Sequence, residues 1–465
     1  MRIRHLLPSL ALCLLTGLGS MLGVLTPTAS RAQTNVSAAQ LPVFPGARGF
    51  GTTTRAGRGG RVIAVTTLAN DGPGSLRAAL DARGARIIVF KVGGVITLRD
   101  KLYIKDPFVT VAGQTAPGDG ITLRDFGLVI VTNDVLVQHL RVRPGNRGDI
   151  DASANDAIEV LGNIDNDDVT GAYNVVLDHV SASWAEDEVL STWFGAHDVT
   201  VSWSIISEGL NHSRHHKGDH SSGMVIGGKS DRVSVHHTLF ANNHSRNPLY
   251  KWGGTHEFTD NVVYGWGALS TDILEGQPIA RINILRNTYI PGPATYLRQE
   301  MLVERSDDDG PPQIHVAGNV GPNIRDPERA PWDGVFIEFS MKRAPLSYRA
   351  PHAFATPLAL SDEAADAAAV LRGAGATLPR RDAIDTRVVN NVEQQGGRII
   401  DSPEQVGGYG VLAGGESPQD SDEDGMPDAW ESSIGLNAAD GADGNADRNG
   451  DGYTNVEEYL NSLRP

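Results

Sequence analysis

Residues 195–201 read "GAHDVTV", a Gly and an Asp set just before an alternating β-branched triplet. The same plan stands 24 residues earlier in "GAYNVVL" (171–177) and 34 residues later in "KSDRVSV" (229–235). Working outward, comparable triplets start at 109, 135, 175, 199, 233, 257 and 282, at steps of 26, 40, 24, 34, 24 and 25. Alternation at period two marks short strands, and the neighbouring Asn, Asp and Gly mark turns. No helix-length amphipathic segment intervenes to carry crossovers between parallel strands. A coil of roughly 24 residues per turn satisfies this pattern, because no single turn buries its own apolar face and stacking makes one continuous interior. The expectation is an all-β solenoid, a parallel β-helix, with a β-sandwich and a propeller as the competing architectures. The two long steps read as one turn plus an insertion, and insertions on a solenoid emerge as surface loops where function concentrates.

The flanks differ from this body. Arg2 and Arg4 precede an apolar run from Leu6 to Leu25, and small residues at Ser30 and Ala32 precede Gln33. That is the layout of a secretory signal peptide over 1–32, and no later stretch is long and apolar enough to span a bilayer. The only cysteine, Cys13, lies inside the signal, so the mature chain is expected to lack disulfides and thiolate metal sites. A secreted, monomeric protein held by its core is the expectation. The formal charge of −16 divides unevenly: 1–32 carries +3, 413–465 carries thirteen acids and two Arg for −11, and the body keeps −8. Nucleic acid is excluded as a partner on this balance. Residues 360–376 form the clearest helix candidate, with Ser361 as a possible N-cap and a packing role against the coil.

Four stretches bear a resemblance. "FPGARGFG" (44–51), "GSLRAAL" (74–80), "VVLDHVSASWAEDEVLS" (175–191) and "SRNPLYK" (245–251) resemble polysaccharide lyase family 1, the pectate lyases. The similarity runs from about Leu41 to Leu412. It implies a right-handed parallel β-helix that cleaves an acidic polysaccharide, polygalacturonate or pectin, by calcium-assisted β-elimination. That reaction removes the proton on C5 of a uronate, α to its carboxylate, and expels the oxygen on C4. A carbanion beside a carboxylate needs positive charge at the carboxylate and a base at C5. Calcium takes hard oxygen ligands.

"GDIDASANDAIEV" (148–160) offers Asp149, Asp151 and Asp156, and "SWAEDEVLS" (183–191) offers Glu186, Asp187 and Glu188. The resemblance places metal ligands at Asp156 and Asp187. Two positions depart from it, with Ala154 and Ser191 where relatives carry acids, and Glu188 or Asp151 can compensate. The resemblance also makes Arg246 the base and Lys251 and Lys217 the cations that grip substrate carboxylates, although an insertion loosens the alignment at Lys217. A free guanidinium is essentially never deprotonated, so such a base needs neighbouring cations to disfavour its charge. Activity rising above neutral pH follows.

Seven histidines (212, 215, 216, 220, 236, 237 and 244) crowd the same region and invite a zinc reading. Their segment is Ser- and Gly-rich, with no partner acid at a recognised zinc spacing. Structural roles are expected, with one of His236 and His237 inside and His216 facing substrate. Trp252, just after Lys251, is a candidate for stacking on sugar; Trp184, Trp193, Trp203 and Trp266 read as packing residues.

The tail carries a second metal signal. "DSDEDGMPDAWE" (420–431) and "DRNGDGYTNVEE" (447–458) both fit D-x-[DN]-x-[DN]-G-x5-E. Asp420, Asp422, Asp424 and Glu431 would bind one calcium, and Asp447, Asn449, Asp451 and Glu458 another. The loops resemble EF-hand-like loops of the dockerin or thrombospondin type-3 kind. The boundaries that follow are 1–32 signal, 41–412 lyase-like coil and 413–465 acidic tail. The rival readings are a lyase acting on another polyuronate or on esterified pectin, a β-helix glycoside hydrolase, and a non-catalytic carbohydrate-binding β-helix.

Overall fold

The computed structural model describes residues 41–464 apart from 148–149, 164–170, 277, 306–309, 339–341, 344–345 and 360–364. The signal at 1–32, Asp149 and Ser361 lie outside the described residues. Within them the predicted triplets lie side by side. Val109 pairs with Val135, Val135 with Val175, Val175 with Val199 and Val199 with Val233, all in parallel. The register then departs from expectation by one residue, since Val233 pairs with His256 rather than Glu257, and His256 with Ile282. From Val109 to Ile314 the interior row is Val and Ile except where His256 fills a place, wholly buried. A pattern keyed to aliphatic residues therefore starts this strand one position late, and a slip of one exchanges the two faces.

Each turn of the coil adds two further strands. From Tyr173–Asp178 the chain passes through Ser181–Ser183 and Glu188–Trp193 and returns at His197–Ser202. Repetition builds sheets of ten, eight and ten strands, a right-handed parallel β-helix. The corner between the first and second sheets turns on one residue with positive φ: His139, His179, Trp203, His237, Asp260 and Arg286, from 47° to 56°. Non-glycine residues resist that region, and buried asparagines support it in the later turns. Asn261 donates through Nδ2 to Val235 O, Asn287 to Phe258 O and Asn319 to Ile284 O, each accepting from the backbone of the turn before. The apolar rows, Val109 to Ile314 on the first sheet and Ile158 to Val303 on the third, close on one another as a single interior. Each fully buried aliphatic side chain there stabilises the fold by roughly 1.5–3 kcal/mol.

The outer faces have different covers. Helix α1 (Leu76–Asp81) tucks Leu76 and Leu80 into the interior at the first turn. The wholly buried Arg86 donates to the carbonyls of Ala79 and Leu80, satisfying groups that the helix end leaves open. Helix α2 (Ala367–Gly373) is shorter than the predicted 360–376, and Asp366 caps it. Helix α3 (Ala383–Glu393), which the sequence reading missed, is capped by Asp382. The two helices lay Val370, Val388, Val389 and Val392 over Ile205, Leu239, Val262 and Tyr264 on the second sheet. A buried charge cluster fixes α3: Arg143 reaches Asp382 Oδ2 at 2.6 Å and Asp385 Oδ1 at 2.7 Å, and Ser181 Oγ donates to Asp385 at 2.5 Å. In the acidic tail, α4 (Asp428–Ile434) and α5 (Asn455–Ser462) border a patch in which Met426, Val456, Tyr459 and Leu460 cover Ile87, Val89 and Ala112. On the third sheet one row runs Glu159, Ser191, Val225, Leu249 and Asp272, polar at both ends and apolar between.

Buried imidazoles make the fold acid-sensitive. Burial holds His256 down to about 4, and burial with His237 alongside holds His236 down to about 3. Such groups stay neutral in the fold but take protons when unfolded, at about 6.5. Stability is therefore complete above that value and is lost as pH falls toward the folded values. At about 1.4 kcal/mol per unit, His256 alone is worth on the order of 3 kcal/mol. We expect Tm to fall steeply between about pH 6.5 and pH 4, and His256→Gln to make that fall shallower; an unchanged slope would remove His256 from the account.

Candidate active site

Three of the sequence-predicted acids and Arg246 meet where the strands of the third sheet begin. Asp156 stands just before the strand Ile158–Leu161, and Asp187 and Glu188 open the neighbouring strand Glu188–Trp193. One oxygen from each of these three carboxylates lies within 4.8 Å of the others. Asp156 is buried, accepts from Ser191 Oγ at 2.6 Å and from the Glu188 amide at 3.3 Å, and is raised well above the usual carboxylate range by burial and by Glu188. Ser191, where the resembled family has an acid, thus holds an acid in place. Glu188 is pushed up to about 7 by burial and by Asp187, against Arg246 and Lys217. Burial also works against Asp187, but the bond from His220 and its charge hold that carboxyl below its ordinary value.

Other acids of the two motifs point elsewhere. Asp151 caps a short turn through Ser153 and is exposed, and the wholly buried Glu186 takes Arg214 and Asn155. Neither joins the trio. His220 Nε2 lies 2.8 Å from Asp187 Oδ1 and His215 Nε2 3.5 Å from the same oxygen, the two rings stacked at 3.9 Å and 6°. The histidine loop therefore does have a partner acid, but one distant in sequence. Parallel rings directed at one oxygen steady that carboxylate. His216 is exposed.

Arg246 sits at a positive φ of 60° before the short strand Leu249–Tyr250, and its Nη1 pairs with Glu188 Oε1. Two buried asparagines hold the segment in this shape. Asn243 donates to Ile206 O and to Asn247 Oδ1, and Asn247 donates to Leu269 O. Gly223 lets it come close, since a Cβ there would stand 2.6 Å from Arg246 O. Lys217 is exposed on the 199-to-233 insertion, and Lys251 lies 5.3 Å over the Trp193 ring, so Trp193 rather than Trp252 is its aromatic neighbour. Trp184 and Trp266 are wholly buried. Asp272 and Glu304, on the next two strands, were missed by the sequence reading. Burial raises both carboxyls and the Arg246 charge lowers them. Their only sequence signal is one acid in each of two short apolar strands, "TDIL" and "MLVE". Asp178, within a strand, is structural: Ser202, Gln138 and Arg464 all donate to it.

In the tail, Asp420, Asp422 and Asp424 converge within 4.8 Å, and so do Asp424, Glu431 and Asp443. The second loop is exposed and bonded to itself. Asp447 accepts from the Gly450 and Gly452 amides, while Asn449 donates to Asp451 and Glu458.

No family model matches the chain. Curated relatives match nearly all of it. "Probable pectate lyase C" of Aspergillus terreus is 35% identical over 449 residues, 92% of this chain and 96% of the relative. The protein of the same name from Emericella nidulans is 35% identical over 448 residues, 92% and 94% of the two chains. The chain belongs to the pectate lyase family. Among solved structures, pectate lyase II from Xanthomonas campestris pv. campestris is similar at 16% identity and a TM-score of 0.48, over 72% of this chain and all of that one. Among the described residues, no helix is long and apolar enough to cross a membrane.

Proposed function

We propose that the protein is a secreted, monomeric, calcium-dependent lyase that cleaves polygalacturonate by β-elimination, with Arg246 as the base. The observation that carries this reading is the pairing of Arg246 with Glu188, one member of the buried carboxylate trio. The trio fits calcium by its donor set, all carboxylate oxygen, and by the raised values of Asp156 and Glu188, which burial and the neighbouring acids produce together. Asp156, Asp187 and Glu188 would hold the ion, with Ser191 and His220 orienting two of them. Calcium bound there would supply positive charge at the substrate carboxylate.

The remaining chemistry belongs to the side chains. Lys217 and Lys251 bind uronate carboxylates and set the C5 proton against the guanidine of Arg246. The base has to act as the neutral guanidine, because a guanidinium has no lone pair to take the proton. The C5 proton passes to Arg246, the C5–H electron pair becomes the C4=C5 double bond, and the C4–O bond breaks. The departing oxygen takes a proton from water. The tail acids Asp420, Asp422, Asp424 and Glu431, with Asp447, Asn449, Asp451 and Glu458, would bind further calcium away from this chemistry.

The test is purified protein on polygalacturonate with calcium and then with excess chelator, followed by ultraviolet absorbance of the unsaturated product. We expect product with calcium, its loss with chelator, and a rate that rises with pH above neutral. Chain cleavage without the double bond, or an optimum below about pH 6, would overturn the reading.

A further inference from the structure

We propose that Asp443, which lies outside both acidic repeats, completes one calcium site with Asp420, Asp422, Asp424 and Glu431, and that the ion there locks the tail onto the first turns of the coil. The inference rests on reading the tail as calcium-binding and supplies what that ion does. Its basis is a division of labour among oxygens. Asp420 Oδ2 accepts from the Gly425 amide and lies 3.6 Å from Lys91 Nζ, Asp424 Oδ1 accepts from Met426, and Asp443 Oδ2 accepts from Asn437. The opposite oxygen of each is buried without a hydrogen-bond partner, as are both oxygens of Asp422 and of Glu431. Glu431 is 0% exposed and Asp424 5%. Buried carboxylate oxygens left unpaired cost several kcal/mol in ordinary folds. Here they converge, with Asp424 common to both carboxylate groups. Burial together with Asp424 and Asp422 pushes Glu431 up to about 7, as expected of acids crowded around one centre.

An all-oxygen set of five acids suits calcium, which takes six to eight oxygens, better than magnesium with its strict octahedron and retained waters. The position of Asp443 gives the ion its mechanical role. Its carbonyl accepts from Asn455 at the start of α5, and Asn445, two residues on, donates to Gly60 O of the coil. Asp420 faces Lys91 of the coil. The ion would therefore tie the first loop to a segment already anchored on the coil, directly beside the apolar patch of Met426, Val456 and Ile87.

The experiment uses the full chain and compares wild type with Asp443→Asn, Glu431→Gln and Asp187→Asn. Thermal unfolding is measured against calcium chloride, magnesium chloride and chelator, and calcium stoichiometry by titration calorimetry. We expect calcium, and not magnesium, to raise Tm in wild type and in Asp187→Asn. Asp443→Asn should raise the half-saturating calcium concentration of that stabilisation at least about tenfold, and Glu431→Gln should do so further. In chelator the order should reverse, with Asp443→Asn at least as stable as wild type because one repelling charge is gone. A variant less stable than wild type in both conditions, or one titrating like wild type, overturns the proposal. Absence of lyase activity in wild type, with its calcium-dependent stability intact, would count against the lyase reading alone.

Discussion

Arg246→Ala should lower turnover on polygalacturonate by about 10²- to 10⁴-fold, the range for removal of a general base. The fold should tolerate the change, because the side chain is 23% exposed and pairs with Glu188. Removing it leaves Glu188 without the charge that now lowers its pKa, so the assay belongs well above pH 7, where that carboxyl is ionised in either case. KM should change much less than turnover if Lys217 and Lys251 hold the substrate. Arg246→Lys separates base from mere cation: it restores a charge opposite Glu188, but on a flexible stem without the planar fork. Substantial rescue by Lys with none by Ala would make residue 246 an electrostatic anchor. A turnover in Arg246→Ala above a tenth of wild type would remove it as base.

The second large effect concerns stability. Arg143→Met should cost about 3–5 kcal/mol, the usual penalty for removing one partner of a buried ion pair. Arg143 is 1% exposed and binds both Asp382 and Asp385, which are 6% and 0% exposed. Arg141 Nε, 3.5 Å from Asp382, cannot answer both acids, since its Nη2 is committed to the carbonyls of Ala376 and Arg380. Two buried carboxyls would share too little positive charge, and the pair would have to take up protons. The loss should therefore be smaller at acid pH than at neutral pH, opposite in sign to the histidine effect on the parent protein. Chemical denaturation at pH 5 and pH 7.5 checks this. A loss below about 1 kcal/mol at both would mean that α3 is held by its apolar contacts alone.

Much of the fold was legible because a solenoid repeats its local chemistry. Valines at 109, 135, 175, 199 and 233 share one row, and turn residues stand beside each strand. The slip at His256 shows the limit: a neutral imidazole fills an aliphatic place when burial lowers its pKa, and residue type alone hides that. One strand in three was readable. Those of the second and third sheets are mostly three or four residues long, too short for periodicity to register. Helix α3 was hidden because its apolar face is small, and its anchoring charges come from residues some 240 positions away. At the candidate site, Arg246, Asp156 and Asp187 were named through resemblance. Asp272, Glu304, the bond from His220 to Asp187 and the place of Asp443 were not, because each depends on neighbours that meet only after the coil has wound.

The buried plug at the first turn has a consequence for how the molecule behaves in a crowd. An open stack of parallel strands is a template, since its terminal strand offers unpaired amides and carbonyls to any chain of the same pitch. Leu76 and Leu80 of α1, tied down by Arg86, close the bore at that end. The first rungs thus present a filled interior rather than an open apolar bore. A short helix of six residues is what keeps water out of that end of the interior.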